Sequence, residues 1–343
     1  MYSFEEVFYP NYAKVQAVNN QLAFPLALSS ELKKSDMIRV TFKGKPLVLL
    51  RLEHSIKAFL DRCPHRGYPL SKGCIKGNNI VCSYHGWAFD SDGRLVDLPG
   101  DPNFLSGSSS LLQEFKVVEK DGVIWGSESA IDIEEVFTPS VKGTHDRASI
   151  VRYIRANKVD IAENFLDALH THTVHTGIVR SSRPKHRCSV LVESIENGYQ
   201  AEYTEEDTQT GFLGKLFGGK VLKSIGRIRY PGIIEIEYLS KNDIEMSVVV
   251  YIVEESKYLC KLIMRTYLKK TRVPFLMKAL LLAPIQLMVF NQDKRVLERQ
   301  AESLKRNSDF RPLIGRADVM RSCIEKTFAQ EFVAYKKNIE LCL

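Results

Sequence analysis

Two short segments of this chain each carry one cysteine and one histidine in a turn: Cys63-x-His65 and, after 16 intervening residues, Cys82-x-x-His85. Pro64 and Gly67 mark the first as a tight turn, and Gly86 follows the second. Two loops of this kind can close over one metal centre from both sides. The residues around them fit such a scaffold. Ile38–Phe42, Pro46–Leu52, Lys57–Leu60, Ile80–Cys82, Trp87–Phe89 and Val123–Trp125 are short β-rich runs separated by Gly, Pro, Asn or Asp. Residues 21–128 are therefore expected to form a small all-β domain, preceded by an N-terminal extension over 1–20.

The compartment decides how the cysteines are read. There are seven, at 63, 74, 82, 188, 260, 323 and 342, an odd and scattered set. The N-terminus, MYSFEEVFYP, has neither the basic nor the apolar region of a signal peptide. A reducing, cytoplasmic setting is expected, so close Cys/His groups are read as metal or redox sites before disulfides. Cys74, between the two pairs, reads as a packed thiol. The donor chemistry favours two irons: thiolates bind a ferric ion strongly, while neutral imidazoles on a second iron leave the cluster less negative and raise its potential. That is the Rieske [2Fe–2S] arrangement. Zinc is the competing reading, since Cys₂His₂ is also a zinc set, although zinc sites usually pair Cys with Cys and His with His.

The run C-P-H-R-G-x-P-L-S-x-G followed by C-x-Y-H-G-W-x-F-D-x-x-G resembles the Rieske domain of the Rieske non-haem iron oxygenases. The resemblance implies that Cys63, His65, Cys82 and His85 hold the cluster. Ser83 stands where the family usually has proline, placing a hydroxyl near the cluster without replacing a ligand.

The second half has a different pattern. Strand-like runs cover Ile150–Ala156, Ser189–Thr204, Ile225–Ser240, Ile244–Glu254 and Tyr258–Leu268, and helical pattern appears at Asp160–His170, Pro274–Arg306 and Ala317–Lys337. The expected class is α+β: a connector over 129–149, then a domain over 150–343 with a helix packed on an antiparallel sheet. The resemblance makes this a helix-grip, START-like catalytic domain.

Within DIAENFLDALHTHTVHTG, Asp167 and His170 are three apart, hence on one face of a helix. The β-branched Thr171, Thr173 and Val174 let the helix distort or end, so that His170 and His175 can converge on one metal. His172, three before His175, is the local competitor. This segment resembles the D-x-x-H-x₄-H element of the same oxygenases. By that resemblance His170 and His175 bind a mononuclear Fe(II), and Asp167 bridges electrons to it from a cluster histidine of a neighbouring subunit. Such a site needs a third, anionic ligand and open positions for O₂. The run MVFNQDKRVLERQ offers Asp293, whose context resembles the family's ligand segment, with Glu298 and Glu302 as alternatives on the same helix.

That helix is apolar all round from 274 to 290, as expected of a buried helix, and Pro284 is expected to kink it. Core packing is one reading. The other makes Phe275, Leu276, Leu280 or Met288 line a lipophilic pocket or a membrane-facing entrance to it. The 16-residue run Phe275–Phe290 is interrupted by Lys278, Pro284 and Gln286 and is too short to span a bilayer; peripheral membrane contact is not expected.

With 48 Lys+Arg against 41 Asp+Glu the net charge is +7, which does not call for nucleic acid. The excess sits in Arg180–Arg187 and in 208–234, where Lys215, Lys220, Lys223, Arg227 and Arg229 occur without an acid. Such patches are either solvated surface or a dock for an acidic ferredoxin or flavin reductase. A separate donor, drawing on NAD(P)H, is expected because no GxGxxG fingerprint is present. The resemblance implies a homotrimeric, O₂-dependent monooxygenase that hydroxylates or oxidatively demethylates a small organic molecule, aromatic or lipophilic. A Rieske electron carrier, a zinc-stabilised binding module, and dihydroxylating, desaturating or cyclising chemistry are the alternatives.

Overall fold

The computed structural model describes residues 22–53, 55–141, 145–179, 187–205, 223–240, 243–271, 274–307 and 309–342. Its first part holds ten strands: β1 (Phe24–Leu28), β2 (Asp36–Phe42), β3 (Lys45–Arg51), β4 (Ile56–Leu60), β5 (Cys74–Lys76), β6 (Asn79–Val81), β7 (Ala88–Phe89), β8 (Leu95–Asp97), β9 (Glu114–Lys120) and β10 (Val123–Ser127). They form a six-stranded sheet in the order β1-β10-β9-β4-β3-β2 and a four-stranded sheet β5-β6-β7-β8. Phe59, Leu70, Ile80, Phe89 and Leu112 pack beneath the two Cys/His loops and give them a rigid floor.

Among the described residues the second part is one antiparallel eight-stranded sheet with three α-helices. In chain order it runs β11 (His145–Ile154), α1 (Lys158–Leu166), β12 (Arg187–Ile195), β13 (Gly198–Glu205), β14 (Lys223–Arg229), β15 (Ile233–Ser240), β16 (Asp243–Ser256), β17 (Leu259–Lys269), α2 (Phe275–Arg306), α3 (Arg321–Ala329) and β18 (Lys336–Cys342). The sheet order is β11-β17-β16-β15-β14-β13-β12-β18. Both faces are buried at its centre, which is why β16 reads as a nearly unbroken apolar run. Val250 and Ile252 face the helices, while Val249, Tyr251 and Val253 face β10 and the connector through Trp125, Val136 and Val141. This is the α+β arrangement expected from the pattern, with α2 packed on the sheet as the resemblance implied.

Several local expectations are corrected. The runs 189–204 and 225–240 are each two strands, because Asn197 adopts a left-handed turn and Tyr230-Pro231-Gly232 closes a second hairpin. The helix expected over 160–170 ends at Leu166, so Asp167 and His170 do not share a helical face; Asp167 has extended backbone and a short 3₁₀ turn follows at His170–His172. The helix expected over 317–337 stops at Ala329, and its tail becomes β18, paired to β12. Cys74 is exposed rather than packed: in the short edge strand β5 only Ile75 turns inward.

Helix α2 runs through Pro284 as one element of 32 residues but is not buried all round. Leu276 and Leu280 are each 69% exposed, and Met277, Leu287 and Met288 are exposed with them. Only the face carrying Leu282, Phe290, Asp293 and Leu297 turns inward, since α2 is the outermost layer. No helix among the described residues is long and apolar enough to cross a membrane.

Candidate metal centres and active-site cavity

The two Cys/His loops have the same backbone plan. Cys63 N–H donates to the Tyr68 carbonyl and Gly67 N–H to the Cys63 carbonyl, both at 2.8 Å. In the second loop Cys82 N–H donates to the Trp87 carbonyl at 2.9 Å and Gly86 N–H to the Cys82 carbonyl at 3.0 Å. Each turn needs a left-handed residue at its fifth position, and glycine supplies it at φ +73° and +77°. The turns thus present a cysteine inward and a histidine outward, from two sides.

Cys63 and Cys82 are both 2% exposed, while His65 and His85 are half-buried with ring centroids 4.5 Å apart. His65 is stacked flat on Trp87 at 4.5 Å, and its Nδ1 is buried without a hydrogen-bond partner. Burial pushes the Cys63 thiol up, and Cys82 beside it pushes further. Partial desolvation, then His65 and Arg66, hold His85 below the usual imidazole value. Two buried thiols facing each other and an orphaned imidazole nitrogen are a donor set without an acceptor for its electron pairs. A cationic cluster fits it. The Ser83 hydroxyl donates to the Lys72 carbonyl at 2.8 Å.

The second centre begins at the end of α1. Asn157 caps its start by accepting the Asp160 N–H, and Arg321 of α3 ties it down through Asp160 and Glu163. After Leu166 the Asp167 carboxylate accepts the N–H groups of Leu169 at 2.7 Å and His170 at 3.0 Å, which starts the 3₁₀ turn and aims His170 inward. Asp167 Oδ2 also lies 3.5 Å from His170 Nδ1, long for a hydrogen bond. Burial would raise the Asp167 carboxyl, but His170 and the Leu169 amide outweigh it and hold it below the usual carboxylate value.

The structure brings His170 and His175 together with Asp293 of α2, their candidate ligand atoms all within 4.8 Å of one another. His175 Nε2 is 2.9 Å, and His170 Nε2 3.6 Å, from Asp293 Oδ1. Asn164 Nδ2 donates to the same oxygen at 3.3 Å. His175 Nδ1 meets Gln292 Oε1 at 2.8 Å. The amide oxygen only accepts, so the proton sits on Nδ1 and the Nε2 lone pair faces a carboxylate. Two lone pairs at that distance repel unless a proton or a metal cation lies between them. Burial disfavours the proton, but Asp293 and Gln292 outweigh burial and raise His175. A divalent ion fits the same place.

His172 is buried but stands outside this group, as do the other two acids. Glu298 accepts the Arg155 N–H at 3.0 Å and Glu302 pairs with Arg306 at 2.5 Å. Asn164, Gln292 and Trp87 are residues of these sites that sequence reasoning passed over. Asn164 had a local signal, one turn before Asp167 on α1.

A cavity of about 210 Å³ adjoins the second centre, between the concave face of the sheet and α2. Leu282, Ile285, Val289 and Phe290 line it from α2, and Ile236, Val248 and Met264 from the sheet. Of the pocket residues expected from sequence, Leu276, Leu280 and Met288 point away from it, and the side chain of Phe275 lies outside the described residues. The basic stretch 180–186 and the loop 206–222, with Lys215 and Lys220, also lie outside them. Lys223, Arg227 and Arg229 pair with Glu202, Glu235 and Glu237 on the adjacent strands.

Residues 23–125 match the family model for the Rieske [2Fe-2S] domain. Cholesterol 7-desaturase nvd of Bombyx mori is 31% identical over 209 residues, 58% of this chain and 45% of that protein. Methylxanthine N1-demethylase NdmA of Pseudomonas putida is 30% identical over 164 residues, 45% of this chain and 46% of that protein. The chain spans less than half the length of these curated relatives. The crystal structure of dicamba monooxygenase bound to dicamba superposes with a TM-score of 0.75 at 19% identity, covering 92% of this chain and 98% of that one. Residues 23–125 therefore form a Rieske [2Fe-2S] domain, and the relatives and structural neighbours of this chain are Rieske non-haem iron oxygenases.

Proposed function

We propose that this chain is an O₂-dependent oxygenase that hydroxylates or oxidatively demethylates a small organic molecule, with electrons from a separate ferredoxin or flavin reductase drawing on NAD(P)H. The observation that carries this reading is the convergence of His170, His175 and Asp293 beside an apolar cavity. A Rieske cluster supplies single electrons, and a ferrous ion on two histidines and one carboxylate keeps positions open for dioxygen. Cys63, His65, Cys82 and His85 would hold the first, and His170, His175 and Asp293 the second.

The remaining work falls to the chain's own side chains. Gln292 keeps the His175 proton on Nδ1, and Asn164 steadies Asp293 Oδ1. Phe165, Leu166 and Phe290 exclude water from the cavity wall. The Asp167 side chain stays 31% exposed in the single chain, within reach of another subunit. This supports a head-to-tail homotrimer in which a cluster histidine of one chain meets Asp167 of the next.

Metal analysis and turnover test the reading together. Anaerobically purified protein should be red-brown with about three iron atoms per chain. His170→Ala should abolish oxygenation while keeping the cluster absorption. About two iron atoms per chain would favour an electron carrier instead, and a His170→Ala protein that still oxygenates would overturn the assignment of His170 as an iron ligand.

A further inference from the structure

The wall of the cavity selects what can enter it. Among its described lining residues the ionisable side chains are Tyr203, Tyr238 and the four groups of the candidate iron site, Asp167, His170, His175 and Asp293. Among these described residues there is no lysine, arginine or glutamate. An organic anion lying along this wall, away from the iron site, would lose its water and meet no cationic side chain among the described residues, a cost that disfavours it. An apolar molecule loses nothing on entry.

One wall is polar without being charged. Gln286 Nε2 on α2 donates to Thr266 Oγ1 on β17 at 3.1 Å, and both residues line the cavity. That bond uses one of the amide's protons. The Gln286 carbonyl oxygen, its second N–H and the Thr266 hydroxyl proton remain to bind a ligand. Gln286 stands seven residues before Asp293 on the same helix, so the two share a face, roughly 10 Å apart along the axis. The pair therefore marks the end of the cavity away from the metal ligands.

We propose that the substrate is an uncharged, mainly apolar molecule bearing one hydroxyl or carbonyl oxygen, held by Gln286 and Thr266 so that its far side meets the iron site. This rests on the oxygenase reading above for the word substrate, but the binding preference rests on the cavity alone.

The test uses the protein with both metals in place. Calorimetry compares cyclohexanol, decalol and adamantanol with their matching carboxylates and matching alkyl chlorides. At least one alcohol should bind, and about tenfold or more tighter than its carboxylate. Gln286→Leu should weaken that alcohol about tenfold, the worth of one hydrogen bond, and leave the chloride unchanged. Thr266→Val provides the same test if Gln286→Leu folds poorly. Carboxylates binding as well as alcohols, no alcohol binding, or alcohol affinity unmoved in both variants would each overturn the proposal. Alcohol binding as expected with no product from O₂ and reductant would leave it standing and overturn the oxygenase reading.

Discussion

Gln292 Oε1 lies 2.8 Å from His175 Nδ1, so the residue just before Asp293 sets the tautomer of the imidazole that Asp293 faces. One turn of α2 thereby presents the carboxylate and orients its partner. Because Gln292 and Asp293 are adjacent, any shift of α2 moves both together.

Removing that acceptor should loosen the metal and spare the cluster. Gln292→Leu is expected to lower Fe(II) affinity by about 10–100-fold, the usual cost of losing a residue that orients a ligand histidine. Anaerobic Fe(II) titration reads the change, with the visible spectrum as the control. Unchanged affinity would mean that His175 is held by packing alone.

Asp167 has two separable roles, the cap on the 3₁₀ turn and the charge beside His170. Asp167→Ala should cost about 1 kcal/mol of stability, whereas Asp167→Asn keeps an acceptor for the Leu169 and His170 amides and should cost less. The folded pKa of Asp167 is depressed, so its charge stabilises above the ordinary aspartate value and that stability is lost as pH falls through the depressed folded value. The Tm gap between wild type and Asp167→Asn should therefore be largest at neutral pH and close on acidification. Both variants should turn over more slowly than wild type if the charge bridges electrons.

Gly86 in the second Cys/His turn and Gly77 in the β5–β6 turn predict an unequal response to alanine. At Gly86 a Cβ would carry left-handed strain at φ +77° and come within 3.0 Å of Pro99 Cγ. Gly86→Ala should cost about 1–2 kcal/mol and reduce cluster content, read as the ratio of visible to protein absorbance. Gly77→Ala, at φ +60° with open space around it, shares the strain but should leave the cluster loaded.

Thiol reactivity should sort by burial. Burial pushes Cys260 and Cys323 up to about 12, so at pH 8 only about one in ten thousand of each is thiolate. Iodoacetamide at that pH should label the exposed Cys74 and Cys342 and spare these two, with their labelling rising only as pH approaches the raised values. Peptide mapping reads the sites. Labelling of Cys260 as fast as Cys74 would contradict the buried placement.

The candidate donors were legible in sequence to different depths. Cys63, His65, Cys82 and His85 lie in turns whose hydrogen bonds close within six residues, so spacing alone describes them. Asp167 and His170 were visible as a pair, but through the wrong geometry: a helical face was expected where Asp167 ends α1 and caps the next turn. Asp293 could be singled out only by likeness, because nothing local joins α2 to the end of α1.

Local sequence determined the two Cys/His turns, the all-β character of the first part and the long helix of the second. Each follows from short-range rules: turn residues, alternation and helical repeat. Tertiary structure alone decided the rest. It cut the long apolar runs into hairpins, left Leu276 and Leu280 exposed, and neutralised Arg227 and Arg229 inside the sheet. It also shaped the mainly apolar cavity from strands and a helix distant in sequence, a property of packed faces that no single segment carries.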